Sequence, residues 1–505
     1  MDERDYASMK QYYEQRPLDE PAVDDITWND LNMDAIFKRM KNTQSSIGDE
    51  YSYRFFRRQH NGDLAYFEEA VQAMHQNAAE RQRLQFAFHR IGRNTNNGLA
   101  GLLLNPDEFP KIPMLVIVLV TLFDVVSFVF MGTEPGIGLL AVTLGFCVAL
   151  VLYTIVLRKI AKAIVSLGMF TRMVRAAKRI VKLDSPALKR GTESLRKSLV
   201  VCKNVSSFAD YIVQVSTSAN SMMIIVTAYF GLYAFAYAAI VRTLRRHRAE
   251  ALALYECVGY VELCISTASY RVSVDTYCKP AICKDTTVQF EAIVHPLLKD
   301  PVPNTHAVGN KLIITGSNAS GKSTFARTLA VNAILGQLFN TCLAKSYAFR
   351  PCEVYTSMNL KDDITTGDSF YVAEVKSLKR LLEVAKAPGY PMLFTDEIFK
   401  GTNMVERIAA ASVILKRFAQ ADCFICLATH DVELCRILGS HYENYHFREV
   451  ITNDDISFDY TLREGVTTGS NAIKMLAYCH YDEDIVEQAE AQAKKYRASG
   501  EWEKL

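Results

Sequence analysis

Residues 316–323 combine glycine, lysine and serine at a spacing that could bind phosphate groups. They read Gly316-Ser317-Asn318-Ala319-Ser320-Gly321-Lys322-Ser323 and lie between an apolar strand pattern, 311–315, and a helical pattern that begins at Thr324. In a P-loop the glycines let backbone N–H groups surround phosphates, and the helix N-terminus adds a favourable dipole. The lysine contacts the β- and γ-phosphates, and the final hydroxyl binds Mg²⁺. The sequence therefore predicts that residues 316–324 bind ATP, with Lys322 on the phosphates and Ser323 on Mg²⁺.

A second apolar strand pattern, 392–395, is followed by two carboxylates, Asp396 and Glu397. This is the Walker B pattern, in which the first carboxylate holds the Mg²⁺ shell and the second orients or deprotonates the attacking water. Capping of the next helix is the alternative for Glu397. The phosphate-binding pattern upstream in the same chain favours the catalytic interpretation.

Two more polar side chains follow predicted elements of this region. His430 ends a third apolar strand, 423–428, and a histidine at that edge can reach a γ-phosphate and sense it. A lone histidine is more often structural, but its position one strand after the Walker B pattern favours a catalytic role. Ser369 begins a predicted helix, 369–385, where it either caps the helix or presents its hydroxyl to a phosphate.

Length and composition bound the architecture only broadly. The chain has 505 residues, enough for two to four domains, and its net charge of +2 favours no class of partner. Its 12 cysteines are interpreted as thiols, and the pair Cys423 and Cys426 as core side chains because no second Cys or His pair has zinc spacing. The acidic N-terminus predicts no signal peptide.

Two apolar runs, 112–131 and 137–157, are each long enough to cross a bilayer and are separated by a short turn. Lys111 and Arg158 flank the pair, whereas the turn has no basic residue, so a transmembrane hairpin with both chain ends in the cytosol is predicted. A buried helical hairpin in a soluble core is the alternative. Asp124 interrupts the first run, either as an ion or proton site or as a carboxylate that faces its partner helix.

A third apolar run, 222–241, is also long enough to span, but both of its flanks are basic. We therefore predict a buried helix of the soluble part, which leaves two transmembrane helices rather than three. The basic segment 158–197 has three interpretations, namely a contact with anionic headgroups, an arm for nucleic-acid phosphates, or a solvated helix face.

The C-terminal portion, about 290–497, resembles the ATPase domain of the MutS family of DNA mismatch-repair proteins. The matching stretches are listed in chain order: His295-Pro296, the loop with Asn318, Asp362-Asp363-Ile364 with Gly367 and Ser369, Asp396-Glu397-Ile398, Gly401-Thr402-Asn403, Ala428-Thr429-His430, Tyr460-x-Leu462-x-x-Gly465-Val466 and Ser470-Asn471-Ala472. The resemblance implies an ABC-type ATPase and a homodimer with ATP at the subunit interface, where Ser369 of one chain contacts the γ-phosphate held by the other.

A weaker resemblance to the start of the MutS core covers Trp28 to Leu31 and residues 42–48, and residues 252–270 are similar to the helix that returns to the ATPase. A counterpart of the mismatch-reading domain is not found, and Phe67-Glu68-Glu69 is interpreted as part of a core helix rather than a base wedge. The Lys400-containing stretch 399–403 resembles the membrane-bound branch of the family.

The expected fold is a helical core and lever with a transmembrane hairpin, followed by an ABC-type P-loop α/β ATPase domain. The predicted divisions are an acidic tail (1–25), a helical core-like region (26–110), the hairpin (111–158), a basic lever-like region (159–285) and the ATPase domain (286–505). We predict a multi-pass membrane ATPase with its ATPase domain in the cytoplasm. DNA is one candidate client, and a protein partner of a nucleotide-gated scaffold is the other. An ABC transporter subunit is disfavoured because two or three helices make a poor translocation path.

Overall fold

A computed structural model describes residues 3–93, 98–183, 189–217, 221–317, 320–358, 370–400, 402–451, 456–467, 473, 476, 479–500 and 502–504. The chain forms two compact units. The first contains residues 1–19, 40–56 and 65–273, and the second contains residues 20–39, 57–64 and 274–505. The domain boundaries drawn from the sequence remain predictions.

The helices and strands follow the chain in this order. The helices are α1 (Glu3–Gln15), α2 (Asp25–Asp30), α3 (Met33–Met40), α4 (Ser46–Phe56), α5 (Leu64–Gln76), α6 (Ala78–Ile91), α7 (Gly98–Leu104), α8 (Met114–Phe130), α9 (Pro135–Lys182), α10 (Lys189–Thr217), α11 (Ser221–Tyr229), α12 (Leu232–Arg246), α13 (Arg248–Val272), α14 (Lys322–Phe339), α15 (Phe370–Lys386), α16 (Met404–Gln420), α17 (Val432–Leu438) and α18 (Glu483–Ser499). The strands are β1 (Ala281–Ile282), β2 (Val288–Ile293), β3 (Asn304–Val308), β4 (Lys311–Thr315), β5 (Ser346–Phe349), β6 (Val354–Ser357), β7 (Met392–Asp396), β8 (Phe424–Ala428), β9 (Glu443–His446), β10 (Glu449–Ile451), β11 (Ile456–Phe458) and β12 (Arg463–Glu464).

The first unit is helical, and its longest element is α9, which is 48 residues long. Pro135 begins this helix, where its missing N–H costs nothing, and no later proline interrupts it. The second apolar run therefore does not end as a separate helix near residue 157 but continues into the basic segment. Between Ser166 and Ile180 this helix is largely buried, and along its length it packs against α6, α7, α10 and α13.

The apolar hairpin predicted from the sequence is present as two packed helices, α8 and the first part of α9. Asp124 of α8 is fully buried and faces Gly145 of α9, so closely that a Cβ on the glycine would lie 1.9 Å from Oδ1. The outer faces of both helices expose large apolar side chains, among them Leu115 (73% exposed), Val129 (70%) and Leu140 (73%).

The third apolar run is not one helix, and the prediction of a single buried helix is wrong. It forms α11 and α12, which are bent by 67° at a break around Gly231. This glycine has a φ of 61°, and a Cβ there would lie 2.9 Å from Thr121 Oγ1. Side chains on both arms, such as Met222 and Phe235, remain exposed. A left-handed residue packed against α8 therefore breaks the run.

Length and composition identify two candidate membrane spans in the described part of the chain, α9 and α13, with the bent pair α11–α12 as a third. In α13, 72% of the apolar window is buried, whereas in α9 only 22% is buried, so α13 is a core helix. Helix α8 has 17 residues and is shorter than these candidates.

The segment Phe67-Glu68-Glu69 belongs to α5, as the core interpretation requires. Phe67 is fully buried, and Glu68 forms an ion pair with Arg271 of α13, with 2.7 Å between Oε2 and Nη2. The aromatic ring of Phe67 is therefore part of the hydrophobic core.

The second unit is built on a six-stranded sheet in the order β12-β9-β4-β8-β7-β6. The pairs from β9 to β6 are parallel, and β12 is antiparallel to β9. Strands β4 and β8 are buried at every position, as expected for parallel strands covered on both faces. On one face, α15 and α16 pack Leu381, Leu415 and Phe418 into the core of the sheet. A second sheet, β1-β5-β2-β3, and the hairpin of β10 with β11 complete the unit.

Residues from the N-terminal region cover the β6 edge of this sheet. Gln59 pairs with the backbone of Val354 through both its amide oxygen (3.1 Å) and its amide nitrogen (3.1 Å). Asp30 accepts hydrogen bonds from the Thr356 hydroxyl (2.7 Å) and the Met358 N–H (2.8 Å). These contacts satisfy an edge strand that would otherwise be free to pair with another chain.

Candidate functional site

The predicted site residues meet at the carboxyl ends of adjacent parallel strands. The loop before α14 follows β4, Asp396 ends β7 and His430 follows β8, which lies between these two strands. A cleft of about 650 Å³ opens at this edge, and it is lined in part by Gly321, Lys322, Ser323, Thr324, Asp396 and Glu397. This volume is typical of small-molecule sites.

Two glycines allow the predicted phosphate-binding loop to close on itself. Gly316 has a φ of 146° and Gly321 a φ of 107°, in the region that disfavours other residues. A Cβ on Gly316 would lie 2.7 Å from Ser320 Oγ and 2.8 Å from the Phe447 carbonyl oxygen. Asn318 and Ala319 lie outside the described residues.

Lys322 points its ammonium group into the loop. Its Nζ donates to the carbonyl oxygens of Gly316 (2.8 Å) and Ser317 (2.7 Å). Burial lowers the pKa of Lys322, and the carboxylates of Glu397 and Asp396 act in the opposite direction. The cation is therefore held at the closed end of the loop, beside both predicted Walker B carboxylates.

The oxygen donors at the cleft fit a magnesium ion. Ser323 lies in the first turn of α14 and Asp396 at the end of β7, and both line the cleft. Among the described residues no group of three or more His, Cys, Asp or Glu could hold a metal. Mg²⁺ commonly takes one or two protein oxygens and completes its shell with phosphates and water, so this donor set suits it.

Glu397 occupies an unusual backbone conformation, with a φ of 54°, and its N–H donates to the Ala428 carbonyl oxygen at 2.7 Å. Its carboxylate lies 3.2 Å from His430 Nδ1 and 3.5 Å from Lys400 Nζ. The hydrogen bond with His430, followed by the charge of Lys400, lowers the pKa of Glu397 to about 2 despite partial burial. Glu397 is therefore ionised and held between two cationic groups. Uncommon backbone conformations such as this one cluster at functional sites.

His430 contacts Glu397, which lines the cleft, through one ring nitrogen. Its other ring nitrogen lies near a second carboxylate. Its Nε2 lies 3.6 Å from Asp431 Oδ1, and Asp431 is held by two hydrogen bonds from Arg407 (2.8 and 3.0 Å). The hydrogen bond with Glu397, supported by the charge of Asp431, raises the pKa of His430. The arrangement favours an imidazolium between two carboxylates.

The sequence motifs indicate no role for Lys400, Arg407, Asp431 or Glu449. The position of Asp431 directly after His430 could have indicated that it belongs to the site. Arg407 lies on α16, and no motif marks it. Glu449 accepts a hydrogen bond from the Ser317 hydroxyl and closes the other side of the loop. Ser369, predicted to act across the subunit interface, lies outside the described residues.

The lining of the cleft also contains apolar and aromatic side chains, Leu298, Val302, Phe447 and Tyr460, beside the charged Lys299 and Asp300. The amide of Asn304 donates to the Tyr460 carbonyl oxygen (3.0 Å) and accepts from the Leu462 N–H (2.7 Å). A Cβ on Gly321 would lie 3.2 Å from the Tyr460 ring. The cleft therefore combines the charged groups around the loop with aromatic side chains that suit a planar aromatic group.

Comparison with known proteins agrees with this geometry. The family described as MutS domain V matches residues 312–497. The DNA mismatch repair protein MutS of Natronomonas pharaonis is 30% identical over 225 residues, which cover 42% of this chain and 26% of that protein. MutS protein homolog 4 of Homo sapiens is 28% identical over 235 residues, 43% of this chain and 25% of that protein. MutS of Thermus thermophilus is 26% identical over 253 residues, 49% of this chain and 31% of that protein.

The chain thus matches only about a quarter to a third of the length of these curated relatives. The matched residues of the family domain contain β4 from Leu312 onward, the loop before α14, Asp396, Glu397 and His430. Residues 312–497 of this chain are therefore similar to MutS domain V.

Proposed function

We propose that this protein is a membrane-anchored ATPase of the MutS family, which hydrolyses ATP with Mg²⁺ and couples hydrolysis to DNA binding or a DNA transaction. The convergence of Lys322, Ser323, Asp396 and Glu397 on one cleft carries the proposal. A cation inside a glycine loop at a helix N-terminus binds phosphates, and the carboxylates across from it serve the metal and the water. The aromatic side chains in the lining of the cleft then contact the adenine base.

Each side chain has a distinct task in this scheme. Lys322 neutralises the β- and γ-phosphates, and Ser323 and Asp396 hold Mg²⁺, which supplies charge stabilisation to the transferred phosphoryl group. Because the pKa of Glu397 is lowered to about 2, its carboxylate is a weak proton acceptor and acts mainly by orienting the attacking water. His430 holds Glu397 in place and provides positive charge near the γ-phosphate.

The family resemblance implies that hydrolysis takes place between two copies of the chain, with Ser369 of one copy on the nucleotide of the other. The exposure of His430 supports this arrangement, since 47% of its side chain remains accessible in a single chain although it belongs to the catalytic group. A second subunit would cover this side chain and exclude water, which strengthens electrostatic interactions at the phosphates.

Membrane anchoring rests on the apolar surface of α8 and the first part of α9. Soluble monomeric proteins rarely expose a contiguous apolar patch of more than a few hundred Å², and here both helices expose long aliphatic side chains over most of their length. The basic residues Lys111 and Arg158 lie at the two ends away from the turn. We infer that the hairpin inserts with its turn on the far side of the membrane, and that the ATPase domain stays in the cytoplasm.

The bend between α11 and α12 allows both basic flanks of the third apolar run to lie on one side of the membrane. A continuous span would place its two basic flanks on opposite sides of the membrane. A pair bent by 67° can enter the bilayer and return on the side from which it came. We infer that this pair is re-entrant, so that both of its flanks obey the positive-inside rule.

The decisive experiment measures ATP turnover of the detergent-purified full chain with and without duplex, mismatched and branched DNA, at low and physiological salt. Stimulation that persists at physiological salt supports coupling to DNA, because nonspecific phosphate contacts weaken steeply as salt rises. Basal turnover with no response to DNA rejects that coupling. The apolar hairpin then favours the second candidate, a nucleotide-gated membrane scaffold that acts on a protein partner. Absence of turnover and of ATP binding would overturn the ATPase assignment itself.

A further inference from the structure

A second cleft, of about 720 Å³, lies where the segment before α8 meets the C-terminal half of α12. Its lining combines four basic side chains, Lys111, Arg242, Arg245 and Arg246, with apolar ones such as Ile112 and Val241. This cleft shares no lining residue with the proposed ATP site.

The packing of α12 against α8 shows where this cleft lies along the apolar hairpin. The two helices run antiparallel, since Gly231 at the start of α12 lies against Ile117 and Thr121, within the apolar run of α8. Six residues later, the Tyr237 hydroxyl donates to the Pro110 carbonyl oxygen at 3.1 Å. The basic end of α12 is therefore level with the beginning of α8, where the exposed apolar face starts at Leu115.

The cleft carries uncompensated positive charge. Arg245 lies 3.3 Å from the Asp107 carboxylate, measured from Nε to Oδ1. Lys111, Arg242 and Arg246 are exposed and form no ion pair with any residue that the structure describes. Three cations beside one neutralised pair attract an anion, and their apolar neighbours favour an anion that carries hydrocarbon.

We propose that this cleft binds the headgroup of an anionic phospholipid in the cytoplasmic leaflet. The phosphate contacts Arg242, Arg246 and Lys111, and the acyl chains continue along the exposed face of α8. Basic clefts between membrane helices at the cytoplasmic surface have the chemistry to bind such headgroups. This proposal rests on the membrane insertion proposed above.

The apolar lining distinguishes this ligand from a nucleic acid. A duplex phosphate backbone presents a row of charges to a polar surface, and it has no group to place against Ile112, Met114 and Val241. In a phospholipid the phosphate lies next to the hydrocarbon chains. In this part of the protein the cations likewise lie next to the exposed apolar face of α8.

Native mass spectrometry of the detergent-purified full chain tests the proposal, with phosphatidylglycerol and phosphatidylcholine as the lipid probes. We expect preferential retention of phosphatidylglycerol, and about a 30-fold loss of that affinity in Arg242→Gln/Arg246→Gln. The matched control is Arg83→Gln/Lys203→Gln, which removes the same charge from exposed positions outside the cleft and should leave lipid binding unchanged. Lys111→Gln provides a second variant on the other wall of the cleft.

Each alternative outcome overturns the proposal in a recognisable way. Equal lipid retention by both double variants shows that the cleft is not the site. Full displacement by soluble glycerol phosphate identifies a free phosphate ligand rather than a lipid. Loss of duplex DNA binding with unchanged lipid retention assigns the cations to nucleic acid. Alkaline carbonate extraction of membranes separates these results from a failure of anchoring, since only the latter releases the wild-type chain.

Discussion

Nδ1 of His430 lies 3.2 Å from Oε1 of Glu397, although the two residues follow different strands. The register of β7 with β8 brings them together, because Asp396 pairs with Ala428 at the ends of these strands. At this distance the carboxylate stabilises the protonated histidine, and the imidazolium stabilises the ionised carboxylate.

The pKa of His430 should lie above the ordinary histidine value in the wild-type protein and fall in Glu397→Gln, because the hydrogen bond with Glu397 is the largest cause of its increase. Deuterium exchange at the imidazole Cε1–H, followed by mass spectrometry across pH, measures this value in the intact chain. Glu406→Gln removes an exposed carboxylate from α16 and is the matched control. An equal pKa in Glu397→Gln and wild type would refute the ion pair.

Lys322→Ala should weaken ATP binding by at least about tenfold, since a charge-assisted hydrogen bond to phosphate contributes about 1.5–3 kcal/mol. Binding of a fluorescent ATP analogue to the detergent-purified chain is the measurement. Lys345→Ala, at an exposed position before β5, should bind like wild type. Unchanged affinity in Lys322→Ala would remove the basis for the phosphate-binding loop.

Glu397→Gln should bind ATP but lower kcat by about 100-fold or more, because the amide cannot orient the water as the carboxylate does. The trapped nucleotide should also stabilise the proposed dimer, which light scattering of the protein–detergent complex can detect. Lys322→Ala with ATP should remain monomeric in the same assay. Normal turnover in Glu397→Gln would mean that Glu397 only caps the following structure.

The buried carboxyl of Glu50 should make stability depend on pH. Burial raises its pKa to about 8, against the hydrogen bonds donated by Tyr255 and Ser8. Between pH 4.5 and about 8 the unfolded chain releases a proton that the folded chain retains. The free energy of unfolding therefore falls as pH rises, by up to about 1.4 kcal/mol per pH unit.

Glu50→Gln should flatten this pH dependence, as measured by chemical denaturation at several pH values. Some slope should remain, because burial also raises the pKa of Glu262 to about 7. Glu69→Gln changes an exposed carboxylate on α5 and should retain the full slope. The interpretation fails if both variants show the same dependence.

Gly145→Ala should destabilise the hairpin, because the new Cβ would lie 1.9 Å from Asp124 Oδ1 and 3.3 Å from the Phe123 ring. Overpacking of this kind costs about 1–3 kcal/mol, and thermal unfolding in detergent measures it. Combining it with Asp124→Ala should restore part of the loss, since the two side chains share one space. Additive effects of the two substitutions would show that they do not meet.

Local motifs identified the charged groups of the candidate site from sequence, because phosphate binding requires glycines, a lysine and a hydroxyl in one short segment. Lys322 could be named for that reason, and Asp396 and Glu397 because two carboxylates follow an apolar strand pattern.

Only the tertiary structure revealed the partners that come from distant elements. Arg407 lies on α16 and reaches Asp431 across the fold, and no sequence spacing encodes that distance. Asp30 caps the β6 edge from more than 300 residues earlier in the chain. Hydropathy located the third apolar run, but the bend at Gly231 depends on close packing against α8, which hydropathy does not measure. Residue type thus determined which chemistry this protein can perform, whereas packing between remote segments decided which charges surround it and where its helices turn.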